Sequence, residues 1–204
     1  MTTAHRPVSR LKRFLVAAAL YAGAVVLGLG SAWWVLKKSS WMNTTVRSGA
    51  WVSNMRAGSP DADMYTRAGV ALNALLALGR DETMYFLATR DDEGKALRSA
   101  CSYRIEGVAP KARWWSVTAY ADDLFLFDAA NKQFSLNGTN ARLDAQGRFS
   151  FFTGPQAPPA GYWVPTPGDR GLILALRLYN PHPDLQASPA SLQPPRIQRE
   201  GACV

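Results

Sequence analysis

The chain has 204 residues, 48% of them hydrophobic, and its 23 Lys and Arg against 15 Asp and Glu give a formal charge of +8. Six of the basic residues and none of the acidic ones fall within the first 38 positions, so 17 basic residues face 15 acidic ones in the rest. That near balance, with no Lys/Arg run or arginine–aromatic repeat after Lys38, excludes nucleic acid as a partner, and the roughly 165 residues beyond it suit one domain with one core.

Residues 14–36 carry no charge. As a helix they reach about 34 Å, enough to cross a hydrocarbon core roughly 30 Å thick. Arg6, Arg10, Lys12 and Arg13 precede the run, while only Lys37 and Lys38 follow it. This bias predicts a basic arm, residues 1–13, in the cytoplasm and the rest of the chain across a bacterial inner membrane, in the periplasm. Trp33, Trp34 and Trp41 suit the lipid–water boundary. Gly30-Ser31-Ala32 would also suit a signal peptidase, but the length of the run and its Lys37-Lys38 flank favour a retained anchor in contact with membrane lipids. Within it Ala24, Gly28 and Ala32 recur every fourth residue, a stripe along which a second helix can pack.

Residues 37–80 are expected to hold a linker and one amphipathic helix. The linker, with Trp41, Trp51 and Met55 among polar residues, fits either a continuation of the helix or an interfacial stretch. Ser59-Pro60-Asp61 then supplies a cap, a first-turn proline and an acid. Met64, Ala68, Leu72, Leu75 and Leu76 fall on one face of the helix that follows, with Gly79 as its stop.

From residue 81 to 204 the period becomes alternating. Residues 83–90 predict a strand, Asp91-Asp92-Glu93-Gly94 a turn, and residues 97–105 the return strand. Further strands are expected over residues 113–120, around Phe125, Phe127, Phe134, Leu136, Phe149 and Phe151, and over 171–179, the longest apolar run outside the anchor. Residues 180–195 are proline-rich and expected to be extended over the surface. The pattern predicts a mainly β fold, a jelly-roll-like antiparallel β-sandwich.

Particular segments resemble the DUF1214 family, a domain of unknown function. They are Tyr85-Phe86-Leu87-Ala88 with Asp92 and Gly94, Tyr103-Arg104-Ile105, and the run Ala112-Arg113-Trp114-Trp115-Ser116-Val117-Thr118-Ala119-Tyr120. Tyr162-Trp163-Val164-Pro165 and Leu176-Arg177-Leu178-Tyr179-Asn180-Pro181 follow in order, and Leu192-Gln193-Pro194-Pro195-Arg196-Ile197 is similar to the family's ending. Tyr162 stands where the family commonly has Asn, and Leu192 where it has Trp. The resemblance implies a jelly-roll-like sandwich, and it implies a partner of the DUF1254 type, which here would be a separate chain.

No catalytic motif stands out. His5 and His182 are the two histidines, too few for a zinc site, and neither a nucleophile elbow around Ser116 nor a phosphate loop is present, so no metal and no cofactor is expected. Asp91, Asp92 and Glu93, like Asp122 and Asp123, fall in turns, where acids serve local hydrogen bonds. Glu106 with Asp128 or Asp169 is the alternative pairing that a glycosidase would need.

The candidate binding residues are aromatic and cationic: Trp114, Trp115, Tyr162 and Trp163, with Arg113 and Arg177. One of the adjacent tryptophans must leave the core, because successive strand residues face opposite sides. Arg177, inside an apolar strand, either points outward or pairs with a buried acid. In an oxidising compartment Cys101 and Cys203 are expected to pair. The reading that follows is an accessory or assembly subunit of an envelope complex that binds a membrane or periplasmic protein. A hydrolase or sugar-binding module acting on envelope carbohydrate is the alternative.

Overall fold

The structure, a computed structural model, describes residues 10–38, 45–72 and 78–203. The chain divides into two compact units, residues 1–42 and 43–204. In the first, one helix, α1 (Arg10–Lys38), is long and apolar enough to cross a membrane over Arg10–Trp34. Ala24, Gly28 and Ala32 are exposed on it, and a Cβ added at Gly28 would meet nothing within 4 Å.

The second unit is mainly β, with two sheets. The six-stranded sheet has the order β1 (Thr45–Ser48), β2 (Trp51–Asn54), β3 (Thr83–Ala88), β9 (Leu172–Pro181), β5 (Ala112–Ala121), β6 (Ser135–Asn137). The four-stranded sheet runs β10 (Arg196–Glu200), β4 (Ser102–Val108), β7 (Arg148–Gly154), β8 (Trp163–Pro165), and its β7–β8 pair is parallel where every other pair is antiparallel. Leu172, Leu174, Leu176 and Leu178 alternate into the core from β9, which therefore sits centrally between β3 and β5. Trp115 stacks on Phe149 of the opposite sheet with ring centroids 4.6 Å apart.

Four sequence expectations change. The stretch before Ser59 is neither helix nor linker throughout: residues 45–54 form a hairpin at the edge of the six-stranded sheet. Trp51 is fully buried there, and its indole N–H donates to the Pro195 carbonyl at 2.7 Å. Helix α2 (Met64–Leu72) starts later than Ser59-Pro60-Asp61 suggests. Asp63 is its cap, accepting from the backbone N–H groups of Tyr65 and Thr66 at 2.9 and 3.0 Å, while the Ser59 hydroxyl is occupied by the Asp61 N–H. Met64 is exposed and Ala68 half-buried, while Thr66 and Gly69 are buried, so the covered face at the start of α2 is not the one that Met64 marks; Leu75 and Leu76 lie outside the described residues.

The segment after the Asp91–Gly94 turn pairs only with the residues just past β3, through the Arg90–Ala96 bridge and the Leu97 N–H to Thr89 carbonyl bond, and forms no ladder with β3 itself. Arg98 bridges Gly171, and the buried Ser99 ties the corner by donating to the Gly168 carbonyl (2.7 Å) and accepting from the Arg170 N–H (2.8 Å). The chain then enters β4 in the other sheet. Alternation is the same whichever sheet a strand joins, so periodicity could not separate the two outcomes. Finally, residues 180–195 are not simply extended: α3 (Pro183–Ala187) and a 3₁₀ turn (Pro189–Ser191) seat Leu185 and Leu192 in the core. The chain entering β10 then passes so close to β4 that a Cβ on Gly107 would lie 2.9 Å from the Pro195 Cα.

Cys101 and Cys203 form a disulfide, with Cα atoms 4.1 Å apart and a sequence separation of 102. Closing a loop of that length stabilises the fold by about 4–5 kcal/mol in the chain-entropy model. Asp91 and Asp92 hold the same terminal strand. The Asp92 backbone N–H donates to the Ile197 carbonyl (3.0 Å), its carboxylate accepts from the Ile197 N–H (3.1 Å), and the buried Asp91 carboxylate lies 3.6 Å from Arg199.

Candidate ligand-binding face

Strand alternation sorts the motif residues of β3, β5 and β9 into two sets. Met84, Phe86, Trp115, Val117, Ala119 and the four β9 leucines face the core. The alternate positions form the outer face in cross-strand rows: Thr83, Tyr179 and Trp114; then Tyr85, Arg177, Ser116 and Asn137; then Leu87, Ala175, Thr118 and Ser135; then Ile173 and Tyr120. Directly opposite residues in such rows have Cβ atoms about 5 Å apart, so the rows form one continuous surface.

Small residues, Ser116, Thr118 and Ala175, are buried at its centre, while Tyr85, Trp114, Tyr120, Arg177 and Tyr179 around them are half-buried. Arg177 runs toward Tyr120: one guanidinium N–H donates to the Tyr120 hydroxyl at 3.1 Å, and its carbon lies 5.2 Å from the ring centroid. The side chain thus passes over the Ala175–Thr118 row, which accounts for the burial of both on an outward face. Of the two positions open to Arg177, outward or paired with a buried acid, it takes the outward one and rests on a phenol. At the other end Trp114 tilts against Tyr179 at 5.3 Å and donates from its indole N–H to the Thr139 hydroxyl at 3.0 Å. The Leu78 N–H reaches the Tyr85 hydroxyl at 3.4 Å, which brings the segment after α2 to that corner.

The other candidates go elsewhere. Trp115 is a core residue, 5% exposed, because alternation turns it inward when Trp114 faces out. Trp163 belongs to β8 of the other sheet, where its indole donates to the Gly154 carbonyl at 3.1 Å. Tyr162 is half-buried; its hydroxyl donates to the Ser135 carbonyl (2.9 Å) and accepts from the Asn140 amide (2.7 Å), and burial raises its pKa. The turn at 137–141 therefore touches Trp114 through Thr139 and Tyr162 through Asn140, but it does not merge them into one groove. Arg113 is exposed at the start of β5. Tyr85, Ser116 and Thr118 fall within the motifs but not among the candidate binding residues; stepping by two along RWWSVTAY from Trp114 would have found the last two.

The named acids are mostly held by a neighbouring cation or by their own turn, and Asp128 is exposed. Asp122 and Asp123 are held by Arg170, which with a backbone bond lowers the Asp123 pKa. Asp169 pairs with Arg98, and Glu106 lies 3.6 Å from Arg104. Asp91 accepts from the Glu93 and Lys95 N–H groups at 3.1 and 2.8 Å, closing its own turn. Among the described residues no group of three His, Cys, Asp or Glu is placed to hold a metal ion. His182, expected in an exposed loop, is half-exposed and caps α3, with Asp184 3.2 Å from its Nδ1.

The family model for DUF1214, a protein family of unknown function, matches residues 82–183, which contain β3, β5 and β9 with their outward rows. The chain belongs to the DUF1214 family. The crystal structure of the VPA0106 protein from Vibrio parahaemolyticus has the same fold at a TM-score of 0.59 and 18% identity, over 97% of this chain and 47% of that one. The DUF1214 chain thus spans about half the length of the Vibrio protein. A protein from Burkholderia cenocepacia described only as uncharacterized gives a TM-score of 0.41 at 16% identity, over 59% of this chain and 30% of that one. No functionally curated protein matches the sequence.

Proposed function

We propose that this DUF1214 chain is a membrane-anchored, non-catalytic accessory subunit of a bacterial envelope complex, with its sandwich in the periplasm. The observation that carries this reading is the state of the acids. Asp122, Asp123, Asp169 and Glu106 each lie beside an arginine, and Asp91 lies beside Arg199 and closes its own turn, so each of these acids has a described partner other than a second acid. The four basic residues before the apolar run, against two after it, support the orientation. The tip after β5 offers an apolar contact to a partner protein of the DUF1254 type: Phe125 is 71% exposed and Leu126 44%.

Two measurements test the reading. A reporter active only in the periplasm works when fused after Val204 and not at the amino terminus; the reverse pattern overturns the localisation. Phe125→Ala lowers retention of the co-purifying partner about fivefold, the size of a 1 kcal/mol anchor, whereas Asp122→Asn leaves it unchanged. A folded Asp122→Asn or Asp169→Asn variant that loses cellular function while keeping its partner would show acid–base chemistry and defeat the proposal.

A further inference from the structure

We propose that the Phe125–Leu126 tip of one copy of this chain docks into a cleft beyond the opposite end of β5 in a second copy, a head-to-tail contact. The inference goes beyond the accessory role and does not need it, because a head-to-tail pair leaves one tip free for another protein.

The tip is held in place by its own backbone. Leu124 has a φ of 70°, in the left-handed region that a leucine enters only under strain. The Leu124 N–H donates to the Ala121 carbonyl (2.9 Å), the Ala121 N–H to the Phe125 carbonyl (2.9 Å), and the Phe125 N–H to the Asp123 carboxylate (3.1 Å), while Leu126 bridges Tyr120. A strained turn is thus maintained that presents a largely exposed aromatic ring to water. Such an arrangement points to a contact, and a ring fixed in advance loses little freedom on docking.

The cleft has a volume of about 410 Å³, room for one aromatic side chain with a neighbouring leucine. Val108, 45% exposed, and the half-buried Pro110 line it from the β4–β5 turn, and Leu185 and Leu192 line it from the core. A docked ring would remove the exposed part of these side chains from water. Charge favours the same pairing. Asp122, Asp123 and Asp128 flank the tip, with one arginine, Arg170, shared by the first two. Lys111 lines the cleft, Arg113 is exposed two positions on, and the acid among the lining residues, Asp184, lies 3.2 Å from His182. The tip is therefore net acidic and the cleft net basic, a match for each other and not for an anionic lipid surface.

Position rules out a contact within one copy. Lys111 immediately precedes β5 and the tip follows it, and the ten residues of β5 span about 30 Å. Tip and cleft therefore meet only between copies, through two different surfaces, which makes the contact heterologous.

The test uses the full chain in detergent micelles. With p-benzoylphenylalanine in place of Phe125, ultraviolet light is expected to give a covalent dimer whose cross-linked peptides fall within residues 108–111 or 182–193. In analytical ultracentrifugation the wild type pairs with a Kd below about 0.1 mM, and Phe125→Ala weakens the pair about fivefold or more. Val108→Trp fills the cleft from an exposed position and weakens the pair at least as much; because the tip stays intact, retention of a separate partner protein is unchanged, which keeps this test distinct from that of the accessory role. Lys111→Glu weakens the pair severalfold, and more so at low salt. A chain that stays monomeric at about 0.1 mM, cross-links that fall elsewhere, or a pair as tight as the wild type in Phe125→Ala or in Val108→Trp would overturn the proposal, the last by showing a dimer held through another surface such as α1.

Discussion

The two faces of the six-stranded sheet are built from the same strands and follow opposite rules. On β5 and β9 the inward residues are Trp115, Val117, Ala119 and four leucines, every one no more than 5% exposed. One position away, the outward residues include Trp114, Ser116, Thr118, Tyr120, Arg177 and Tyr179, each with a polar group, beside the apolar Ala175 and Ile173. The inward set gains from leaving water at about 25 cal/mol per Å² and has no directional requirement. The outward set is arranged by direction: a guanidinium on a phenol, an indole N–H on a threonine hydroxyl. Adjacent residues in one motif therefore do different work, and a motif of alternating letters carries both messages at once.

The sharpest way to break the comparison is to truncate each neighbouring tryptophan. Trp115→Ala removes a ring stacked in the core and costs about 3–5 kcal/mol of unfolding free energy. Trp114→Ala removes a half-exposed ring and one hydrogen bond and costs about 1–2 kcal/mol. Urea titrations of both variants would decide it, and equal losses would mean that the outer face is a second core.

The next effect tests what keeps the inward face covered. The four-stranded sheet ends in β10, which the Cys101–Cys203 bridge, the Asp92–Ile197 bonds and the Trp51–Pro195 bond hold in place. Cys203→Ala is expected to lower stability by about 2–5 kcal/mol, with the chain-entropy value at the upper end. Hydrogen exchange should accelerate first in β10 and β4. Uniform acceleration across both sheets would show instead that the bridge acts on the unfolded chain alone.

Two acids outside these faces give the smallest effects, with opposite signs. Burial, the main cause, raises the Asp92 pKa against the bond from Ile197. The folded domain thus holds this proton more tightly than the unfolded chain does. Its favourable contribution is complete below the ordinary carboxylate range and is lost as pH rises through the raised value, so Asp92→Asn gains on the wild type over that window. Hydrogen bonds from Thr66, its backbone N–H first, lower the Asp63 pKa. Its contribution is present above the ordinary carboxylate range and is lost as pH falls through the lowered value, so the deficit of Asp63→Asn shrinks in acid. Urea midpoints measured from pH 7 downward, about 0.5 apart, would show both slopes; the same sign in both variants would contradict the assignments.

The sequence by itself determined the elements whose signal is local. Twenty-three consecutive uncharged residues can cross a membrane only as a helix, because its backbone groups must bond one another in lipid. Alternation in RWWSVTAY and GLILALRLY made β5 and β9 strands and required one tryptophan of the pair to face out. Only the tertiary structure decided which tryptophan that was, because alternation has no sign until the core is known. It also decided that the chain leaves β3 for the other sheet at Ser99, and that the Trp51 hairpin joins the sheet edge. Those outcomes rest on contacts between residues far apart in sequence: Ser99 with Gly168 and Arg170, Trp51 with Pro195, Arg177 with Tyr120. The outer face exists for the same reason, since it appears only when β3, β9 and β5 are set side by side in one register, and no single segment encodes that register.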